Sequence, residues 1–183
     1  SELNRKIKQL IAMQETGEAI LSILDLETLL TVILNLLNDA CQIHRALIML
    51  VNEKEKCLEF SHAVGFSEEV PEAVKKYRVP LGKLGNMLAR VASTGKPEYI
   101  PEVKAAGLRE GNALLTYGRP SSIYVVPLIT RSRVIGVIAT DAVGQAGVPE
   151  ETRETLRIFA PQVAIAIENA RLYKTLQEQM EVV

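Results

Sequence analysis

The chain has 183 residues, 48% of them apolar and 23% charged, with 21 Lys+Arg against 22 Asp+Glu and a net charge of −1. That length suits one domain with room for appended helices. The balanced charge supplies no global field to gather nucleic acid or anionic lipid.

The densest basic clusters, "NRKIK" and "RSR", are short, so neither a nucleic-acid partner nor membrane contact by this chain is expected. Cys41 and Cys57 show no CxxC spacing and no Cys/His ligand pattern, so the expectation is no metal site, no disulfide framework and a reduced, cytoplasmic setting. No uncharged apolar run reaches the ~18 residues of a spanning helix, and no signal peptide is evident. The first residue is Ser, and the chain starts and stops inside helical patterns. It is therefore read as part of a longer polypeptide, which can carry its own membrane anchor.

Leu3, Ile7, Leu10, Met13, Ile20 and Leu24 recur at roughly helical spacing and predict an N-terminal connector helix over 1–24. Gly17 weakens its middle. Asp25 is an N-cap for a second helix, "LETLLTVILNLLNDACQI", with an apolar set (Leu29, Leu30, Val32, Ile33, Leu36, Leu37) wide enough to face a sheet. Strands follow at 45–51 and 57–64, joined by a charged turn. The two-residue period puts Leu58, Phe60, His62 and Val64 on one face. A short helix is predicted at 68–77 and another at about 83–93, which contains Met87. The second stops at Thr94-Gly95 with Pro97 beyond. Residues 98–101 can form a short strand. The stretch 102–120 has weak periodicity and reads as a long loop, of the kind that forms lids. Two β-rich runs, 122–130 and 133–141, flank the tight turn "TRSR", and Pro127 predicts an edge or a bulge. Pro149 opens a C-terminal helix that, at 1.5 Å per residue, is about 45 Å long and outruns a typical ~20 Å strand. These pieces give an α+β domain with a mostly antiparallel sheet and helices over at least one face.

The runs "SSIYVVPLITRSRVIGVIATDAV" and "LRIFAPQVAIAIENARLY", with "SHAVGF" and "VASTGKPEYIPE" upstream, closely resemble the signature of the GAF domain family over about residues 25–175. The resemblance implies a GAF-like, PAS-related fold. In it, a central antiparallel sheet carries N- and C-terminal helices on one face and loops and short helices around a ligand pocket on the other. It also implies a sensory or regulatory module of a bacterial signalling protein, in tandem with an output domain such as a histidine kinase, dimerising through terminal helices.

Several chemistries known in that family lack their residues here. Cyclic-nucleotide-binding members carry an Asn-Lys…Phe-x-x-x-Asp-Glu pattern where this chain reads "DAVGQAGVPEET". Glu150 and Glu151 are better explained as charges favourable in a helix first turn. Bilin-binding members use a Cys beside a His, which neither Cys41 nor Cys57 has. Free methionine sulfoxide reductase, the enzyme alternative, needs cysteines in the 80–120 region, where this chain has none. No Ser/His/Asp, paired-carboxylate or phosphate-loop constellation is present, and "GKLGN" lacks the GxxxxGK[ST] spacing. The expectation is a non-catalytic domain with no identified cofactor, whether haem, bilin, cyclic nucleotide or metal.

Candidate ligand-side residues are Phe60, His62, Met87, Leu114, Tyr117, Ser122 and Tyr124, apolar walls with a few polar groups that suit a small organic molecule. A hydrogen-bonded, partly buried histidine is the plainer account of His62, whereas the set suits a ligand pocket and a plain core equally, so a ligand-free dimerisation scaffold stands as the alternative reading. His44 reads as a surface or capping residue. Beyond residue 170 the helix turns amphipathic. Leu172, Leu176 and Val183 fit a heptad with Ile165 and Asn169, and Tyr173 and Met180 a neighbouring seam, giving an output or coiled-coil segment over 171–183 that pairs with a second copy. The expected division is therefore connector 1–24, domain 25–170 and output helix 171–183.

Overall fold

The computed structural model describes residues 5, 9, 26–41, 43–66, 68–106, 113–142 and 147–181. Of the expected N-terminal connector only Arg5 and Gln9 are among them, both helical and exposed. Asp25 and Val183 lie outside the described residues, as does the side chain of Cys41.

Helix α1 (Leu26–Cys41) leads into β1 (Ala46–Asn52) and β2 (Cys57–Val64). The short helix α2 (Glu72–Lys75), β3 (Arg78–Pro80), α3 (Met87–Thr94), β4 (Glu98–Ile100) and α4 (Ala113–Gly118) follow. The chain then forms β5 (Ser122–Thr130), β6 (Arg133–Ala142) and the long α5 (Glu150–Glu181). The strands build one six-stranded sheet in the order β3-β2-β1-β6-β5-β4, with every pairing antiparallel. First and last strand pairs thus meet at the sheet's centre through β1 and β6.

One face is covered by α1 and α5. Leu29, Leu30, Ile33, Leu34 and Leu37 of α1 interlock with Ile48, Val126, Leu128 and Ile138 of the sheet and with Leu156, Val163, Ala164 and Ile167 of α5. The alanines of α5 (160, 164, 166 and 170, all buried) let its backbone approach closely. The opposite face is covered by shorter pieces. Leu88, Val91 and Ala92 of α3 pack on Met49, Leu58, Val125 and Val137.

Helix α3 shows how local sequence fixes the elements. The Asn86 side chain caps its start, accepting from Leu88 N at 2.9 Å and Ala89 N at 3.4 Å. Gly95 ends it in the left-handed region at φ 68°, donating to Val91 O at 2.9 Å. Gly136, in the "VIGVI" run of β6, has a packing reason: an added Cβ would lie 2.4 Å from the Met49 carbonyl oxygen. Pro127 sits just beyond the β4 pairing, which ends at Val125, so its missing N–H costs no β4 hydrogen bond. A register shift follows at Leu128/Ile129.

Two expectations are corrected. The stretch 102–120 is not wholly loop, because residues 113–118 form α4, a helix under two turns long and too short to declare a period. The shared face of Leu58, Phe60, His62 and Val64 is also broken. Met49 pairs with Phe60 while Ile48 pairs with His62, so Ser61 is an extra residue and a β-bulge reverses the alternation.

Candidate ligand face and output helix

The bulge decides where the predicted ligand-side residues fall. Phe60 packs with the cluster beneath α3, together with Met87 and Leu114. His62 lies on the other face, where its Nε2 is 2.9 Å from the Thr31 hydroxyl of α1. Tyr124 is also on the helix side, 6% exposed, with its ring edge-on to Tyr99 at 6.2 Å. Burial pushes its phenol up, against the lowering charges of Arg157 and Arg153. Ser122 follows Tyr124 by strand alternation. It is fully buried, and its hydroxyl has no hydrogen-bond partner among the described residues. The structure therefore brings together Phe60, Met87 and Leu114, and separates them from His62, Ser122 and Tyr124.

Tyr117 stands at the rim of the α3/α4 face. Its ring stacks on Phe66 at 4.7 Å, and its hydroxyl donates to the Glu68 carbonyl at 2.8 Å. Burial raises its pKa, opposed by the charge of Arg45.

That arginine belongs to a group the sequence reading did not single out. Arg45 and Asp141 sit opposite one another, one step beyond the Ala46–Thr140 pair that joins β1 to β6. Nε donates to Asp141 Oδ1 at 2.7 Å and Nη2 to Oδ2 at 2.5 Å, a bidentate pair with side chains only 17% and 12% exposed. The Asp141 pKa is nevertheless raised, because burial outweighs the hydrogen bonds and charge of Arg45. The available signal was a charged residue at each end of otherwise apolar strand runs, "HRALIM" and "IATDAV", since such residues are buried only with a partner.

On the opposite face α5 has two apolar aspects. Thr152, Leu156, Phe159, Val163 and Ile167 share its buried side. A second row, Ile158, Gln162, Ile165, Asn169, Leu172 and Leu176, repeats at alternating steps of four and three residues. Its apolar members stand open: Ile158 is 56% exposed, Ile165 40%, Leu172 49% and Leu176 54%. All four predicted output residues (Ile165, Asn169, Leu172, Leu176) lie in this row, which begins two turns earlier than the sequence suggested. Tyr173 is half-buried and Met180 exposed.

Where α5 leaves the sheet, an open groove of about 560 Å³ is lined by Leu50, Phe60, Ile135, Glu168, Arg171 and Leu172, among others. Cys57 is buried at the start of β2, and His44 is exposed. Among the described residues no helix is long and apolar enough to cross a membrane.

These features meet known proteins as follows. The sequence matches the GAF domain family over residues 23–168, and the chain belongs to that family. It is a regulatory, sensory type of domain, and members of its kind are generally non-catalytic. It is 25% identical over 174 residues to the Nif-specific regulatory protein of Azospirillum brasilense, the match covering 93% of this chain and 27% of that protein. The chain thus spans little more than a quarter of that relative. The GAF domain from a phosphoenolpyruvate-protein phosphotransferase of Coxiella burnetii superposes with a TM-score of 0.69 at 14% identity, over 92% of this chain and 96% of that one. The GAF domain of the Acinetobacter phosphoenolpyruvate-protein phosphotransferase gives 0.67 at 16% identity, over 96% and 98%. At these identities the likeness is one of fold.

Proposed function

We propose that this GAF domain is a cytoplasmic, non-catalytic sensory module of a bacterial signalling protein. It pairs with a second copy and relays a change at its sheet to an output domain of the same polypeptide through α5. In this reading residues 25–170 are the receiving unit and 171–183 the start of the output connector, with 1–24 leading in. The reading rests on one observation. A single helix of 32 residues covers the sheet with one side and carries along another a heptad row whose four apolar members stand open, while its Gln162 and Asn169 are half-buried. Such a row gains from burial against its own copy, and an asparagine within it favours one register at some cost in stability. The regulatory name of the Azospirillum brasilense relative supports an output in signalling or gene regulation.

The ligand side is the α3/α4 face, where Phe60, Met87 and Leu114 supply apolar contacts and Tyr117 a hydroxyl. It suits a small organic molecule. His62, Ser122 and Tyr124 contribute from the helix side, by coupling that face to α1 and α5. Sedimentation equilibrium over a concentration series tests the pairing. The chain is expected to dimerise and the Leu172→Lys/Leu176→Lys variant to stay monomeric; a wild-type chain monomeric at high concentration contradicts the reading. Native mass spectrometry of the purified chain tests for a retained small molecule.

A further inference from the structure

Helix α4 has six residues and is too short to persist on its own hydrogen bonds. Besides the packing of Leu114 on the apolar cluster beneath α3, a compact set of contacts converging on Arg45 holds it over the sheet. The Arg45 backbone is fixed first, its carbonyl accepting from the Thr140 hydroxyl at 2.8 Å. Asp141 then orients the guanidinium through the bidentate pair. The same Nη2 donates to the Gly118 carbonyl, the last of α4, at 2.7 Å. The guanidinium also stands over the Phe66 ring at 4.7 Å, and Phe66 stacks on Tyr117 of α4. Tyr117 completes the set by donating to Glu68, just after β2. Gly118 is fitted to this place: an added Cβ would come 3.3 Å from Asp141 Oδ2 and 3.5 Å from Arg45 Nη2.

We propose that Arg45 is a clasp that holds α4 closed over the α3/α4 face, and that the clasp releases at the Gly118 carbonyl while the Arg45–Asp141 pair stays on the sheet. The two contacts differ in the way such a device requires. The carboxylate is a charged, bidentate acceptor on the rigid centre of the sheet, whereas the carbonyl is a single neutral acceptor on a short helix. Opening therefore leaves no charge without its partner. α4 carries Leu114 and Tyr117, so its release uncovers the apolar residues beneath it. It also frees Phe66 and Glu68, which are tied to α4 through Tyr117. Because Arg45 immediately precedes β1 and Asp141 lies near the end of β6, closing α4 bears directly on the two central strands and on the α1 helix before β1.

The clasp rests on the reading of this face as the ligand side, and its test separates the two. Amide hydrogen exchange is followed by mass spectrometry on the 183-residue chain and on Asp141→Asn, which keeps Arg45 but removes the charge that orients it. Exchange is expected to quicken about tenfold at 113–118, Phe66 and Glu68, as loss of one hydrogen bond's worth of local opening energy predicts, with β1, β6 and α5 unchanged. Unchanged exchange at 113–118, or equal acceleration throughout the sheet, overturns the clasp. Phe66→Leu, which leaves the ion pair intact, should show a smaller acceleration confined to the same positions. It carries the same discrimination if Asp141→Asn does not fold. Localised acceleration in a chain that native mass spectrometry finds without ligand keeps the clasp and removes the ligand reading. Uniform acceleration in a chain that retains a ligand does the reverse.

Discussion

The carboxylate of Glu168 on α5 accepts a hydrogen bond from the hydroxyl of Thr130 at the end of β5, in a position where both residues are largely enclosed. Arg133 stands 3.6 Å from the same carboxylate and 2.5 Å from Glu53 in the β1–β2 turn. Both hairpin turns at this end of the sheet are therefore connected to α5 within one turn of Ala170, its last buried residue.

Thr130→Val removes the hydroxyl at constant shape and leaves the enclosed carboxylate short of a donor. A loss of about 1–3 kcal/mol in unfolding free energy is expected, measured by urea denaturation. Arg133→Met should cost under about 1 kcal/mol, because that side chain and Glu53 are more than half exposed.

Gly136→Ala tests whether the close β1–β6 approach sets the glycine. The new methyl would meet the Met49 carbonyl at 2.4 Å and Leu50 Cδ2 at 2.9 Å, so the strands must separate. A loss of about 3 kcal/mol is expected in the same assay. Gly82→Ala, with nothing within 4 Å of its added Cβ, should stay within about 0.5 kcal/mol of wild type.

Asp141 gives a pH dependence of defined sign. Its folded pKa lies above its ordinary value because burial outweighs Arg45. The folded chain therefore takes up this proton more readily than the unfolded one. The associated stability is fully present below the unfolded value and is lost as pH rises through the folded value. The unfolding free energy of wild type minus that of Asp141→Asn should fall as pH is raised from about 4 towards neutrality. A difference that rises over that window would mean that the ion pair, not burial, dominates this carboxylate.

How much of this was legible in the sequence follows from which interactions are local. The hairpin 122–130/133–142 announces itself through β-rich runs and a tight turn, and α3 through Thr94-Gly95. The change in character of α5 at residue 170 could be read directly, because a buried helix and a half-exposed one differ in composition. The bulge at Ser61 could not be read, since no glycine or proline marks it and the extra residue exists only relative to β1. Its consequence was the misplaced face of His62. Ser122 and Tyr124 share a face by strand alternation, but their side of the sheet is set by α5. The Arg45–Asp141 pair joins residues 96 apart, a distance no local pattern spans.

The central claim is that α5 meets a second copy along one defined row. Cysteine scanning tests it directly. In a chain with Cys41 and Cys57 replaced by Ser, single cysteines are placed in turn at 165 to 176 and oxidised, and disulfide-linked dimer is quantified. The account predicts maxima at 165, 169, 172 and 176, with minima at 171 and 174. Cross-linking that is absent, or even across the scan, would contradict it.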